Sequence, residues 1–263
     1  MHILKRVREK TISKSLIKKY KLEEVAFLDI EATGFNKEKD KIFSISIGTY
    51  GVNGYTAYVI FGDEDEEGDI LKELFRLLED RTTWCSFNGI AFDEPFLLRR
   101  AELNFLKKPK IEKHIDFYRR IRPYERALQL EGCSLKDLEK HLGIIRTDTI
   151  KGKDCREIFL KYMCTREEEL KNKIILHNLE DVLYLPDIFL ILEEINEKKL
   201  VRDDILTNSQ KGYIKYLIKK RELKIKKIEF SNISKKDASR IIYYLIQREV
   251  DEDKINDIIK KNE

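Results

Sequence analysis

Asp29 and Glu31 close the run Val25-Ala26-Phe27-Leu28-Asp29-Ile30-Glu31-Ala32-Thr33-Gly34. The run is rich in strand formers and ends in a Thr-Gly turn signal. Two residues apart on a strand, the two carboxylates point to the same face. Held a few Å apart and both charged, they repel by about 4 kcal/mol at an effective dielectric near 20. A strand end that faces water relieves this by hydration. A divalent cation relieves it by coordination, and hard oxygen ligands suit Mg²⁺ or Mn²⁺. Asn88-Gly89-Ile90-Ala91-Phe92-Asp93 adds a carboxylate at a helix start, where the macrodipole alone would favour an acid. His177 and Asp181 lie four apart on one helix face, about 6 Å apart at Cβ, a spacing an ordinary surface contact also has. Taken together, Asp29, Glu31, Asp93, Asp181 and His177 are the side chains that two-metal hydrolysis of a phosphodiester requires.

The elements that must position them follow from periodicity. Residues 1–24 read as a basic amphipathic helix, with Ile12, Leu16, Ile17 and Tyr20 at helical spacing. Strands are expected at 25–31, 41–50 and 55–61, the last after a Val52-Asn53-Gly54 turn, forming an antiparallel meander. A helix over 70–78, a strand over 82–87 and a helix from Phe92 to Leu103 follow, with Pro95 in its first turn. A fifth strand over 111–117 carries Asp116, which reads as a strand end. Ser134 starts a helix to His141 through an S-x-x-D box. Helices are expected over 154–163 and 166–194, the second bent at Pro186. Beyond a polar linker at 196–208, residues 209–250 read as a helical hairpin and 254–261 as a last short helix. The expected domains are a basic N-terminal helix (1–21), a catalytic domain (22–198) and a basic helical module (209–263).

With 42% hydrophobic residues among 263, the chain can bury a large core. Its +4 net charge is unevenly placed: the first 21 residues hold eight Lys/Arg against Glu9 alone, and residues 207–263 hold fifteen against nine acids. The middle is therefore acidic, as a carboxylate metal site between phosphate-binding arms would be. Terminal lysines on solvated faces give the same count. Cys85, Cys133, Cys155 and Cys164 form no C-x-x-C pair, which points to reduced thiols and a cytoplasmic setting. Neither a signal-peptide pattern nor a membrane-spanning apolar run is present, so no membrane partner is expected.

Asp29-Ile30-Glu31, Asn88-Gly89-x-x-Phe92-Asp93 and His177-Asn178-x-x-Asp181 resemble, in order and spacing, the three exonuclease motifs of the DEDD (DnaQ-like) superfamily in the ribonuclease H-like fold. The proofreading domains of B-family DNA polymerases are similar. Further segments resemble the stand-alone YprB-type exonucleases: His114-Ile115-Asp116, Cys133-Ser134-Leu135, Leu142-Gly143-Ile144, Arg146-x-Asp148-x-Ile150-x-Gly152 and Asp181-Val182-Leu183-x-Leu185. The resemblance covers roughly residues 20–192.

It implies an α/β fold, a mixed five-stranded sheet flanked by helices, followed by the small C-terminal helical module. It also implies two Mg²⁺ or Mn²⁺ ions, with Asp29 bridging, Glu31 and Asp181 completing one site, and Asp93 holding the other. His177 would be the general base, and the activity 3′–5′ release of 5′-mononucleotides, with single-stranded DNA favoured over RNA. Two departures stand out. Ala32 replaces the usual Thr, leaving a backbone N–H for the terminal sugar. His177 sits at the spacing of the tyrosine subclass.

Ala32, Thr33, Asn88, Phe92, Arg119, Arg146 and Lys151 are candidate nucleic-acid contacts, each also readable as loop organiser, buried aromatic or surface charge. The C-terminal lysines Lys211, Lys215, Lys219, Lys220, Lys224, Lys226 and Lys227, with Arg221, suggest a nucleic-acid grip. The same module is a possible dock for a replication or repair protein. Two rival readings remain: a ribonuclease or structure-specific endonuclease on the same site, and a non-catalytic nucleic-acid-binding or recruiting protein.

Overall fold

The computed structural model describes residues 1–9, 11–52, 54–78, 81–223, 225, 228 and 230–262. Asn53 of the expected turn and Lys224, Lys226 and Lys227 of the basic segment lie outside the described residues. The chain divides into two units, Met1–Arg122 with Glu131–Glu194, and Pro123–Leu130 with Ile195–Glu263. Among the described residues no helix is long and apolar enough to cross a membrane.

The first unit is built on six strands: β1 (His2–Arg8), β2 (Val25–Ala32), β3 (Ile42–Gly51), β4 (Gly54–Phe61), β5 (Thr83–Ser86) and β6 (Lys113–Asp116). Their order is β1-β4-β3-β2-β5-β6, antiparallel from β1 to β2 and parallel from β2 through β5 to β6. The mixed sheet agrees with expectation, but it has six strands rather than five. The sixth is the N-terminal segment expected to be helical. His2–Arg8 pairs along the whole of β4, from His2 opposite Phe61 to Arg8 opposite Tyr55. Only the later part of the segment, α1 (Lys14–Tyr20), is a helix, capped by Ser13. Periodicity missed β1 because the strand is almost wholly exposed and buries no stripe. What holds it is a non-local ladder and Arg8, whose guanidinium meets Asp187 at 2.5 and 3.0 Å and the Leu183 carbonyl at 2.8 Å. Its lysine and arginine side chains also guard an open sheet edge.

The strands alternate between two helical layers. Leu28 and Ile30 of β2 face a core shared with α2 (Glu67–Leu78) and α3 (Asp93–Leu103), through Ile70, Leu74 and Phe96. Phe27, two residues before Asp29, packs on the other face against Tyr55 and Phe189. After α4 (Phe117–Ile121) and α5 (Leu135–His141), α6 (Gly152–Thr165) and α7 (Glu168–Leu183) cover that second face. Phe43 of β3 stacks on Phe159 of α6 at 3.9 Å. Tyr55 crosses the sheet to donate to the Val182 carbonyl at 2.7 Å, and only a glycine at 48 leaves it room, since a Cβ there would fall 1.8 Å from the hydroxyl. The bend expected at Pro186 is a break: α7 ends at Leu183, and a 3₁₀ turn (Leu185–Ile188) leads into α8 (Phe189–Glu197).

The second unit packs α9 (Asn208–Lys220), α10 (Lys235–Ile246) and α11 (Glu252–Asn262) around Ile214, Leu217, Ile241, Leu245 and Ile258. Thr207 and Gln210 form the capping box of α9, and Ser234 caps α10.

Glu67 is the polar tie between layers. Buried at the start of α2, it accepts from the Ile42 N–H of β3 at 2.8 Å, from Arg100 of α3 at 2.8 and 2.6 Å, and from Asn104 at 3.0 Å. Glu67→Ala strands a buried guanidinium, and the expected loss is about 3–5 kcal/mol of unfolding free energy. Urea denaturation measures it; a loss below about 1 kcal/mol would show that the pair is not a tie.

Candidate metal centre

The end of β2 reaches the site through an irregularity: its register with β3 slips by one between Glu31 and Ala32. Bulges re-aim side chains beside functional sites. Asp29 and Glu31 share the face covered by α7, which presents His177, Asn178 and Asp181, all buried. One oxygen each from Asp29, Glu31 and Asp181 lie within 4.8 Å of one another. Asp93, at the start of α3, accepts from the Ile30 N–H at 3.0 Å, between the two strand acids. The structure thus brings together all five residues expected to do chemistry.

Burial raises Asp29 well above the carboxylate range, and Asp181, Asp93 and Glu31 push it further. Glu31 is raised by burial and by Asp181. Asp93 is pushed up to about 7, chiefly by burial, against the pull of its backbone hydrogen bonds. Oxygen donors this close, and this reluctant to carry charge together, fit a divalent cation, which removes the repulsion by coordination.

The acids are held individually. Asn178 donates to Asp29 Oδ2 at 2.7 Å and to Ser46 at 3.0 Å, while its own oxygen accepts from Ser44 at 2.7 Å. Arg146 grips Glu139 through two nitrogens and reaches Asp181 Oδ1 at 2.7 Å. His177 Nε2 lies 3.6 Å from Glu31 and 3.4 Å from Asp181 Oδ2, and its Nδ1 lies 3.1 Å from Asp148. Glu180 fastens the loop carrying Asp148 by accepting from the N–H groups of Thr147 and Asp148.

Several expected nucleic-acid contacts have other tasks. Arg146 is the clearest correction: it is buried among Glu139, Asp148 and Asp181, so its charge is spent inside the protein and not on phosphate. Thr33 Oγ1 accepts from the Lys41 N–H at 3.0 Å. Asn88 takes a left-handed conformation, φ 63°, and gives its N–H to Asp116, which also accepts from Ile90. Gly89 is required there, because a Cβ would lie 2.2 Å from Ser86 Oγ. The Asn-Gly pair thus shapes the turn that delivers Asp93. Ala32 ends β2 at the bulge, half-buried. Arg119 is exposed with Asp116 at 3.6 Å, and Lys151 is exposed before α6. Phe92 is half-buried against Phe96 and against Phe35, whose ring is 90% exposed.

The roles of Glu139, Cys155 and Phe35 were not legible in the sequence, nor was the backing of His177 by Asp148. Phe35 carried the clearest signal, an aromatic directly after the Thr-Gly turn.

A family model described as the RNase_H superfamily matches residues 26–192. No curated protein matches the sequence. Among solved structures, the chain is similar to the family B DNA polymerase from the hyperthermophilic archaeon Pyrobaculum calidifontis, with a TM-score of 0.51 and 14% identity. That match covers 65% of this chain and 24% of the polymerase, so the chain spans about a quarter of its length. It is also similar to Brucella melitensis NrnC bound to pGG, with a TM-score of 0.46 and 16% identity over 70% of this chain and 78% of that one. At 14% identity the likeness to the polymerase is one of fold.

The raised carboxylates set a pH dependence. A carboxyl whose folded pKa exceeds its unfolded value adds stability below the unfolded value, near 4, and loses it as pH rises through the folded value, about 7 for Asp93. In EDTA, thermal stability should therefore fall between about pH 4 and 7. Added Mg²⁺ should raise Tm more at pH 8 than at pH 5. Equal shifts at both pH values in thermal melts would contradict the assignment of these acids as ligands.

Proposed function

The chain belongs to the RNase_H superfamily, and from that premise we propose that it is a metal-dependent 3′–5′ exonuclease of the DEDD type. It hydrolyses nucleic acid, single-stranded DNA in preference to RNA, to 5′-mononucleotides. The observation that carries this reading is the convergence of Asp29, Glu31 and Asp181 within 4.8 Å, with Asp93 fastened to the backbone between the first two. A YprB-type affiliation is supported by the position of the residues that carry the resemblance. Arg146 holds Asp181, Asp148 faces His177, and a Cβ at Gly152 would lie 3.6 Å from His177 Nε2.

Asp29, Glu31 and Asp181 would hold one Mg²⁺ or Mn²⁺, and Asp29 with Asp93 a second. When bound, such a pair activates water and neutralises charge on the leaving 3′ oxygen. The chain's own side chains supply orientation and proton transfer. Asn178 engages one oxygen of Asp29 and leaves the other for a ligand. Arg146 does the same for Asp181, leaving Oδ2 toward His177. His177 Nε2 takes the proton of the attacking water, and Asp148 behind Nδ1 stabilises the imidazolium that results. Phe35 and Phe92 offer aromatic surface for a terminal base. In the second unit, exposed Tyr213 and Tyr216 lie parallel at 6.3 Å beside Lys220, and Lys211 and Lys215 lie over Phe230. Aromatic rings interleaved with lysines support a grip on single strands. A replication or repair protein would be its alternative occupant.

Cleavage of 5′-labelled single-stranded and duplex DNA and RNA tests the proposal. The expected result is a Mg²⁺- or Mn²⁺-dependent ladder shortening from the 3′ end, lost in EDTA. Asp29→Asn and Asp181→Asn should each cost on the order of 10²-fold or more. His177→Asn should cost about 10²–10⁴-fold if it is the base. Full activity in Asp29→Asn would rule out this centre, and internal cuts would make the enzyme an endonuclease.

A further inference from the structure

Beside Glu31 lies a donor that phosphodiester hydrolysis does not call on. Cys155, in the first turn of α6, is fully buried, with its sulfur within 4.8 Å of a Glu31 oxygen. Glu31, Cys155 and His177 each offer one ligand atom, and these atoms lie within 4.8 Å of one another. Ligands about 2.0–2.3 Å from a tetrahedral Zn²⁺ sit roughly 3.5 Å apart. His177 Nε2 and Glu31 Oε1 are already 3.6 Å apart. Octahedral Mg²⁺, at about 2.1 Å from its ligands, asks for edges of roughly 2.9 Å and for oxygen donors.

The other ring nitrogen of His177 also suits a ligand. Nδ1 is buried, lacks an aligned hydrogen-bond partner, and faces Asp148 Oδ2 at 3.1 Å. A metal-ligating histidine characteristically gives this N–H to a carboxylate, which fixes the tautomer and turns Nε2 toward the ion. Asp148 is itself anchored, by Lys136 at 2.8 Å and by the Ile150 N–H at 2.8 Å. Gly152 keeps the space beside Nε2 free of a side chain.

We propose that Glu31, Cys155 and His177 form a binding site for Zn²⁺ or a similar borderline transition-metal ion, and that its occupation switches hydrolysis off by withdrawing Glu31 and His177. Sulfur and imidazole ligands favour Zn²⁺ over Mg²⁺ or Mn²⁺. On binding, a metal–sulfur bond forms as the thiol proton passes to solvent, with no change of oxidation state. The site stands on its own ligands; only its inhibitory consequence rests on the exonuclease reading.

The test uses the metal-stripped full chain with Co²⁺ as the probe. The wild type should develop a thiolate-to-cobalt charge-transfer band that saturates at one equivalent, is abolished by one equivalent of Zn²⁺ and survives excess Mg²⁺. Cys155→Ser should lose the band, whereas Cys164→Ser, which alters an exposed thiol, should keep it. Asp148→Asn should weaken Zn²⁺ binding about 10–100-fold in competition with a chromophoric chelator. A wild-type cobalt spectrum without a thiolate band overturns the site, whether or not the protein cleaves nucleic acid. A band in a protein inactive with every metal supports the site and removes the exonuclease reading. A band without Zn²⁺ inhibition of Mg²⁺-dependent cleavage overturns the switch.

Discussion

Mutual repulsion among carboxylates buried at the end of β2 is the constraint on which the first unit is built. Asp29, Glu31, Asp93 and Asp181 would each be more stable in water, and their crowding raises the pKa of Asp29, Glu31 and Asp93. The fold answers by engaging single oxygens. Asn178 holds Asp29, the Ile30 N–H holds Asp93 and Arg146 holds Asp181. An engaged oxygen fixes the carboxylate plane while lone pairs remain to coordinate. Full satisfaction would have produced a stable polar core with nothing left to bind. Such partial satisfaction is the usual mark of a site in which stability has been given up for chemistry.

Much of this arrangement was legible because its carriers are local. Asp29 and Glu31 share a face by strand alternation, and His177 and Asp181 by helical spacing, so pattern alone paired them correctly. Ser134 and Asp137 announced their helix because a capping box is a contact within four residues. The errors have one physical source, which is contact between segments far apart in sequence. β1 is a strand only because β4 offers an edge to it, and its own sequence buries nothing. Arg146, in a loop, reads as surface charge until Glu139 and Asp181 are seen to close on it from two helices. Asn88 was readable as a loop organiser, but its partner Asp116 lies on another strand.

Arg146 also shows why residue type matters in this network. Its guanidinium spans Glu139 on α5 and Asp181 on α7 at once, with Asp148 at 3.4 Å from the same nitrogen that meets Asp181. A planar fork of donors can do this, and a lysine point charge cannot. Glu139 keeps the fork in place and shares its charge, so Asp181 is oriented without being neutralised.

The surplus of negative charge that remains has a consequence for substrate. Once ionised to hold cations, Asp29, Glu31, Asp93 and Asp181 outnumber their cationic neighbours Arg146 and Lys136. A phosphodiester entering this field without cations meets like charge in a poorly solvated pocket, so substrate and cations must strengthen one another's binding. Linkage makes that coupling reciprocal: the strand raises cation affinity by the factor by which cations raise strand affinity. On the exonuclease proposal, a grip on the strand would lie outside the acid cluster. The basic segments at either end of the sequence are where the chain carries that charge.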